Sequence, residues 1–268
     1  MVLQLESLVT NTTFGHVFHA TNAGVSYAVK QYTEVCYEAT AELRVAKALA
    51  NDAPHPHLVH IIDCFYQHDM VHLVLEYCSG GDLYEYLHRR PTLASSDARR
   101  IFDQVVAGLH QLHQCGFAHR DISLENILLD EHGDCKLCDF GLAVPAHETS
   151  DAVVGKPYYM APEVYAGRPY DPAAADMWSL GILLFMLVTG VPMIRAPSDA
   201  DGGYRIVAQQ GVKALLKLWN MQTLFSKDLV DVLDGLLTVN PKRRLTMRQL
   251  RAKLQPKCSW RRKLALWF

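Results

Sequence analysis

The sequence predicts an α+β fold made of two lobes, the first rich in strands and the second mainly helical. Short runs of β-branched and aromatic residues fill the first third of the chain. After the Ser-Gly-Gly sequence at 79–81 the pattern changes to longer helical segments. No internal repeat and no Gly/Ser-rich or Pro-rich linker divides the chain. We therefore expect one domain with an N-lobe at 1–78, a C-lobe at 79–258 and a basic, aromatic tail at 259–268.

The N-lobe is predicted to contain strands and one helix. The predicted strands are 3–9, 15–20, 25–31, 61–66 and 71–77. Asn11 and the Asn-Ala-Gly sequence at 22–24 interrupt the first three runs and are typical of hairpin turns. Residues 34–50 have helical composition, so a helix is expected between the third and fourth strands.

The C-lobe is predicted to be built from helices. The predicted helices are 82–90, 95–115, 178–189, 204–210, 226–238 and 246–254. Ser226 is a plausible N-cap. The uncharged run at 177–194 reaches the length at which a membrane span must be considered. Its helical part would rise only about 18 Å, against a bilayer core of about 30 Å, which favours a buried helix.

Composition excludes several classes of protein. With 268 residues, 50% of them hydrophobic, and a net charge of −2, the chain is neither disordered nor a strongly cationic nucleic-acid binder. Seven cysteines at irregular spacing and a start without a signal peptide favour a cytoplasmic setting, with a nuclear one left open. Ten of the 26 basic residues lie in 242–268, which has no acidic residue. For the tail, packing on the helical lobe is favoured over contact with an anionic membrane.

Four short motifs are spread over the first two thirds of the chain. HRDISLEN occupies 119–126, CDFG occupies 138–141 and YMAPE occupies 159–163, with YAVK ending upstream at Lys30. In order and spacing this set resembles the catalytic domain of eukaryotic-type protein kinases, and the resemblance runs from about residue 5 to about residue 254. It implies the bilobal protein kinase fold, with ATP and Mg²⁺ as cofactors and with proteins as substrates.

The resemblance also implies catalytic roles. The transferred phosphoryl group carries several negative charges, so catalysis depends on positioning and on neutralisation by cations. Asp139 and Asn126 would hold Mg²⁺, since a hard cation prefers oxygen ligands. Asp121 would orient the substrate hydroxyl, and Lys30 would grip the α- and β-phosphates.

Lys30 needs an anionic partner, which this family supplies from the next helix. Glu42 is the first choice, because an apolar face follows it at Val45, Ala46 and Leu49. Glu38, one turn away, is the alternative.

Further positions follow from the resemblance. The residues assigned to the nucleotide pocket are Gly15, Val17, Ala28, Lys30, Glu42, Leu75, Glu76, Cys78, Asp82 and Leu128. Leu75 would be the gatekeeper, the segment from Glu76 to Cys78 would bind adenine through its backbone, and Asp82 would reach the ribose. Structural roles are implied for an ion pair between Glu163 and Arg244 and for Asp176, expected to open its helix and to brace the catalytic loop.

The sequence departs from the family pattern in the phosphate loop. Thr10 and Thr12 stand at the first two glycine positions, where β-branched residues restrict the approach of backbone amides to phosphate. Weaker ATP binding is therefore expected.

A second departure has two parts. Ser123 stands where serine/threonine kinases have a catalytic-loop lysine, and Lys156 stands where they have a threonine that supports it. We expect Lys156 to reach the same spot from the opposite side, next to Asp121, with Ser123 fixing it. The alternative is a solvent-facing Lys156 and a merely tolerated Ser123.

The leading interpretation is an active, ATP-dependent serine/threonine protein kinase. The alternative is a pseudokinase scaffold that binds nucleotide weakly. A small-molecule kinase is disfavoured by the activation segment, which runs from Asp139 to Glu163. Within it, Thr149 and Ser150 are candidate phosphorylation sites that could pair with Arg120.

Overall fold

The computed structural model describes residues 3–12, 15–33, 36–50, 53–68, 70–90 and 93–255. The tail predicted at 259–268 lies outside these residues. The α+β fold class predicted from the sequence is confirmed.

The N-lobe is an antiparallel sheet of five strands with one helix against it. Its elements are β1 (Gln4–Thr12), β2 (Gly15–Asn22), β3 (Val25–Tyr32), α1 (Tyr37–Leu49), β4 (Ile61–Gln67) and β5 (Met70–Glu76). The strand order is β1-β2-β3-β5-β4. A predicted break at Asn11 was wrong, because Asn11 pairs with His16 across the β1–β2 ladder and its side chain also contacts the His16 ring at 2.8 Å.

The C-lobe is mainly helical. Its helices are α2 (Leu83–Arg89), α3 (Ser95–Gln114), α4 (Pro162–Tyr165), α5 (Pro172–Thr189), α6 (Gly202–Gln210), α7 (Val212–Leu218), α8 (Lys227–Leu236) and α9 (Met247–Leu254). The expected N-cap is present, since the Ser226 side chain accepts a hydrogen bond from the amide of Leu229. A large apolar core surrounds α3, α5 and α8 and includes Trp178 and Phe185, both without solvent exposure.

The helix predicted at 178–189 begins earlier than expected. Asp171 caps α5 by accepting a hydrogen bond from the amide of Ala174, Pro172 fits the first turn, and Gly190 ends the helix with a φ of 71°. Length therefore does not set α5 apart from a membrane span, contrary to the sequence argument. By length and composition it is apolar enough to cross a bilayer, and 72% of its 18 residues are buried inside the protein.

Two short ladders place the loops of the site. Strand β6 (Phe117–Ala118) pairs with β9 (Val144–Pro145), and β7 (Ile127–Leu129) pairs with β8 (Cys135–Leu137). Residues 119–126 therefore connect β6 to β7, and residues 138–143 follow β8. The two loops that carry most of the motif residues are held side by side by these ladders.

Candidate active site

The loop at 119–126 is anchored by hydrogen bonds to Asp176 of α5. Its carboxylate is fully buried and accepts hydrogen bonds from the amides of His119 and Arg120, each at 2.8 Å, and contacts His113 Nε2 at 2.8 Å. Asp176 lies in the second turn of α5 and does not open the helix as expected, but it contacts the loop that it was expected to brace. Its charge is compensated by these donors, which explains why it interrupts neither the helix nor the core.

His119 joins the two loops. The Asp121 amide donates to its Nδ1 at 3.2 Å, so its Nε2 carries the proton and donates to the carbonyl of Cys138 at 3.0 Å. The Cys138 amide in turn donates to the carbonyl of Asn126 at 3.0 Å. Asp121, Asn126 and the residue before Asp139 are thus parts of one hydrogen-bonded unit.

The Asp121 carboxylate is held at one oxygen only. Its Oδ2 accepts from Asn126 Nδ2 at 2.7 Å and from Lys156 Nζ at 3.1 Å. Its Oδ1 is buried and has no hydrogen-bond partner among the described residues. Such an unpaired oxygen costs on the order of 1–3 kcal/mol, and a substrate hydroxyl donating to it would remove that cost.

Lys156 lies where the exchange of residues predicts. Its Nζ contacts Ser123 Oγ at 2.9 Å as well as Asp121 Oδ2, and Ser123 is completely buried. The side chain of Lys156 is 35% exposed, so it is not enclosed by the protein. The expected contacts are present; the catalytic role of the pair stays a prediction.

Lys30 lies between two carboxylates. Its Nζ donates to Glu42 Oε1 at 2.7 Å and to Asp139 Oδ1 at 2.8 Å. Of the two candidate partners on α1, the structure pairs Lys30 with Glu42, while the side chain of Glu38 lies beside Gly141. The arrangement brings the N-lobe strand β3, the helix α1 and the loop after β8 together at one cation.

Burial and charge oppose each other in this cluster. Burial raises the pKa of Glu42 to about 7, against the lowering effect of Lys30. Burial would also raise the pKa of Asp139, but the Lys30 ammonium overrides it and holds that pKa well below its usual range. Burial would lower the pKa of Lys30, but the carboxylates of Glu42 and Asp139 keep it well above its usual value. Lys30 and Asp139 are therefore charged at neutral pH, whereas Glu42 titrates near it.

Sequence reasoning missed Tyr32, which lies under this cluster. Its ring centre is 5.1 Å from Lys30 Nζ, within the range of a cation–π contact, and the residue is 1% exposed. Side chains two residues apart on a strand share one face, so the position of Tyr32 after Lys30 was a signal that could have revealed it.

The residues expected around the nucleotide come from adjacent strands. Val17 pairs with Lys30 in the β2–β3 ladder, and Ala28 pairs with Leu75 in the β3–β5 ladder. Asp82 forms an isolated bridge with Leu128 on the other side, next to the buried Cys78. The carboxylate of Asp82 caps α2 by accepting from the Glu85 amide at 2.8 Å, a role that the sequence analysis did not give it. Glu76 contacts Lys136 at 3.0 Å.

The phosphate loop is a hairpin with little glycine. Close packing of the sheet requires glycine at position 15, because a Cβ there would lie 1.8 Å from the carbonyl oxygen of Gln31 in the neighbouring strand. Thr12 pairs with Gly15, and its hydroxyl is buried without a hydrogen-bond partner among the described residues. Thr10 is exposed. Close packing between strands thus accounts for the glycine that the loop retains.

Arg120 connects the activation segment to both lobes. It donates to Ser150 Oγ at 3.0 Å, to the carbonyl of Leu142 at 2.7 Å and to the hydroxyls of Tyr170 and Tyr37 at 3.4 and 3.3 Å. Ser150 is contacted by Arg120 in its unmodified form, whereas Thr149 is exposed. The two tyrosines were not singled out from the sequence, because no local pattern marks them.

The end of the activation segment is fixed by an ion pair. Arg244 binds both oxygens of Glu163, at 2.6 and 2.9 Å, and also donates to the carbonyls of Ala174 and Thr238. Its guanidinium lies over the Trp178 ring, 5.3 Å from the centre. The partners predicted from the sequence are in contact with good geometry.

The donor atoms fit a magnesium site that is completed by phosphate. Among the described residues no three His, Cys, Asp or Glu side chains form a cage for a metal ion. Mg²⁺ is commonly bound by one or two carboxylates with substrate phosphates and water. The carboxylate of Asp139 and the amide oxygen of Asn126, whose Nδ2 is committed to Asp121, are ligands of that type.

Comparison with known proteins agrees with this geometry. The model of the protein kinase domain family matches residues 4–254. The chain is 40% identical over 195 residues to NUAK family SNF1-like kinase 2 of Rattus norvegicus, an alignment that covers 72% of this chain and 30% of that protein. It is 34% identical over 253 residues to putative CBL-interacting protein kinase 13 of Oryza sativa subsp. japonica, covering 91% and 48%. The chain thus spans less than half the length of these relatives.

Proposed function

The chain belongs to the protein kinase family, and on that premise we propose that it transfers the γ-phosphoryl group of ATP to serine or threonine hydroxyls of protein substrates. Members of this family generally use ATP and Mg²⁺. The proposal is carried by one observation. Asp121 keeps one carboxylate oxygen unpaired among the described residues, in the same hydrogen-bonded unit as Asn126 and the loop that presents Asp139.

The residues divide the work between them. Lys30 would hold the α- and β-phosphates, and Glu42 holds its ammonium group next to Asp139. Asp121 would accept the hydrogen bond of the substrate hydroxyl and orient its oxygen toward the γ-phosphorus. When bound at Asp139 and Asn126, Mg²⁺ would neutralise charge on the phosphate oxygens. The preference for serine and threonine is inferred from the sequence GKPYYMAPE at 155–163.

Labelled-phosphate transfer from ATP to casein, and to the protein itself, tests this function. Asp121→Asn keeps the shape of the side chain and removes its negative charge, so kcat should fall roughly 10²–10⁴-fold while the KM for ATP changes far less. Asp139→Asn should lower kcat similarly. The matched control is Asp97→Asn, an exposed aspartate at the start of α3, which should retain wild-type activity. Wild-type transfer by both active-site variants would show that the activity does not come from this site and would contradict the proposal; no transfer by the wild-type protein would leave the scaffold interpretation.

A further inference from the structure

Two segments that are distant in sequence share one ammonium group. Lys156 belongs to the activation segment, and its contacts Asp121 and Ser123 are 35 and 33 residues earlier in the chain. An ammonium group has three hydrogen-bond donors, and these two contacts account for two of them. The side chain is 35% exposed, and the third donor of the ammonium group is not used by these two contacts.

Gly155 allows the activation segment to pass close to the catalytic loop. Its φ is 92°, a conformation that side-chain-bearing residues rarely adopt, and a Cβ there would lie 2.7 Å from the carbonyl oxygen of Arg120. The backbone of the activation segment therefore runs directly against the catalytic loop. The next residue is held in a turn, since the Lys156 carbonyl accepts from the amides of Tyr159 and Met160 at 2.9 and 3.1 Å. Backbone contacts, and not a long flexible reach, place the lysine.

A lysine in this position does not block Asp121. It occupies Oδ2, which Asn126 also holds, and leaves Oδ1 without a partner among the described residues. Ser123 is fully buried, so its hydroxyl would lack compensation if Lys156 moved away. A lysine that served only as a surface charge would need neither the buried serine nor the close passage at Gly155.

We propose that Lys156 is the catalytic cation that contacts the γ-phosphoryl group during transfer, and that Ser123 is its positioning residue. The inference rests on the proposed function and adds a form of regulation to it. In the reaction the bond between the γ-phosphorus and its bridging oxygen breaks, and a bond to the substrate oxygen forms. The hydroxyl proton passes to Asp121, ADP leaves with the bridging oxygen, and Lys156 stays protonated throughout. The cation comes from the activation segment, so the chemical step depends on the contact between this segment and the catalytic loop.

A double-mutant cycle on kcat/KM tests the pair. Lys156→Thr removes the cation and should lower kcat roughly 10²–10³-fold, as loss of a charge-stabilising group does. Ser123→Lys alone places two ammonium groups at one site and should also lower activity. The double variant restores one lysine and one hydroxyl, and it should exceed each single variant by about tenfold or more. Coupling of less than about twofold would overturn the proposal.

A second set of measurements avoids the Ser123→Lys substitution, and its first part does not depend on turnover. Lys156→Thr should weaken binding of Mg·ADP with aluminium fluoride, a mimic of the transferred group, more than it weakens binding of Mg·ADP alone. Equal losses for both ligands would overturn the proposal. Ser123→Ala is the smaller change and should lower kcat several-fold at an unchanged melting temperature; a lower melting temperature with full kcat would mean that Ser123 is only structural.

Two controls separate this inference from the kinase proposal. Lys217→Thr makes the same change at an exposed position on α7 and should leave activity unchanged. If Asp121→Asn retains wild-type transfer, the proposed function itself fails. If Asp121→Asn is inactive while Lys156→Thr has the wild-type rate, the kinase proposal stands and the role of Lys156 is refuted.

Discussion

The two halves of the site are held in place by different forces. On the C-lobe side, Asp121 and Asn126 belong to a loop that is hydrogen-bonded to the buried Asp176 and lies on the large core around α3, α5 and α8. On the N-lobe side, the described residues form a separate, small cluster whose buried members are Tyr32, Ala39, Val71 and Leu73. There Lys30 is placed mainly by its two carboxylate partners.

This difference shows where the site can be adjusted. Helix α1 contributes Ala39 to the small N-lobe cluster and Val45 to the large core, and its N-cap residue, Cys36, makes no side-chain capping bond. The position of Glu42 therefore depends on charge as much as on packing. Substitutions at the contacts that anchor the C-lobe half should act mainly on stability, and substitutions in the N-lobe half mainly on pH dependence and nucleotide binding.

The largest effect is expected at the ion pair of the C-lobe. Arg244→Met leaves the nearly buried Glu163 carboxylate without its cation, and it should lower the free energy of unfolding by about 3–5 kcal/mol. Urea unfolding of the variant measures this loss. Arg243→Met changes the neighbouring, exposed arginine and should stay within about 0.5 kcal/mol of wild type. A similar loss in both variants would show that the pair is not what holds this region.

In the N-lobe, the largest effect should depend on pH. The pKa of Glu42 is raised by burial from 4.5 to about 7, so the folded protein binds this proton more tightly than the unfolded chain. Its contribution to stability is therefore full below pH 4.5 and is lost as the pH rises through about 7, a change on the order of 3 kcal/mol.

Unfolding of wild type and of Glu42→Gln between pH 4 and 8 checks this. Wild type should lose stability relative to the variant as the pH rises. Kinase activity of wild type should rise over the same range, since ionised Glu42 holds Lys30 best. A stability difference that does not change with pH would contradict the assignment and would mean that packing, as in the C-lobe, fixes this half too.

A smaller effect is expected where the lobes meet the activation segment. Ser150→Ala removes the acceptor that Arg120 contacts at 3.0 Å, a charge-assisted hydrogen bond worth about 1.5–3 kcal/mol when fully formed and less at this partly exposed position. Phosphorylation of Ser150 would strengthen the contact. Mass spectrometry of active protein, with activity assays of Ser150→Ala and Thr149→Ala, distinguishes the sites. Full activity with neither site modified would show that phosphorylation of Ser150 or Thr149 is not required for activity.

The smallest effect concerns the phosphate loop. Thr12→Gly removes a buried hydroxyl without a partner among the described residues and frees the backbone of the hairpin. The KM for ATP should fall by about tenfold or less, which corresponds to roughly 1 kcal/mol. Thr10→Gly at the exposed position is the matched comparison. An unchanged or higher KM in Thr12→Gly would show that the threonines do not limit nucleotide binding.

Much of the fold and several contacts of the site could be predicted from the sequence. Runs of β-branched and aromatic residues located the five strands, and the resemblance to protein kinases led to the pairs Lys30–Glu42, Glu163–Arg244 and Lys156–Ser123. The misses depend on tertiary contacts. The start of α5 was hidden because the charge of Asp176 is compensated by amides of a distant loop. Tyr170 contacts Arg120 across 50 residues, and no local pattern encodes such a separation.

The position of Lys30 also bears on how the site responds to salt. One cation is shared by two carboxylates, so Asp139 already has a counter-ion inside the protein. Asp139 would be a ligand of a bound divalent cation, and the Lys30 ammonium would then be free to pair with phosphate. Binding of metal and nucleotide would then exchange the counter-ions of Asp139 and Lys30 and would leave few charges newly exposed. Nucleotide affinity is therefore expected to depend less on ionic strength than in a site whose acidic residues face solvent unpaired.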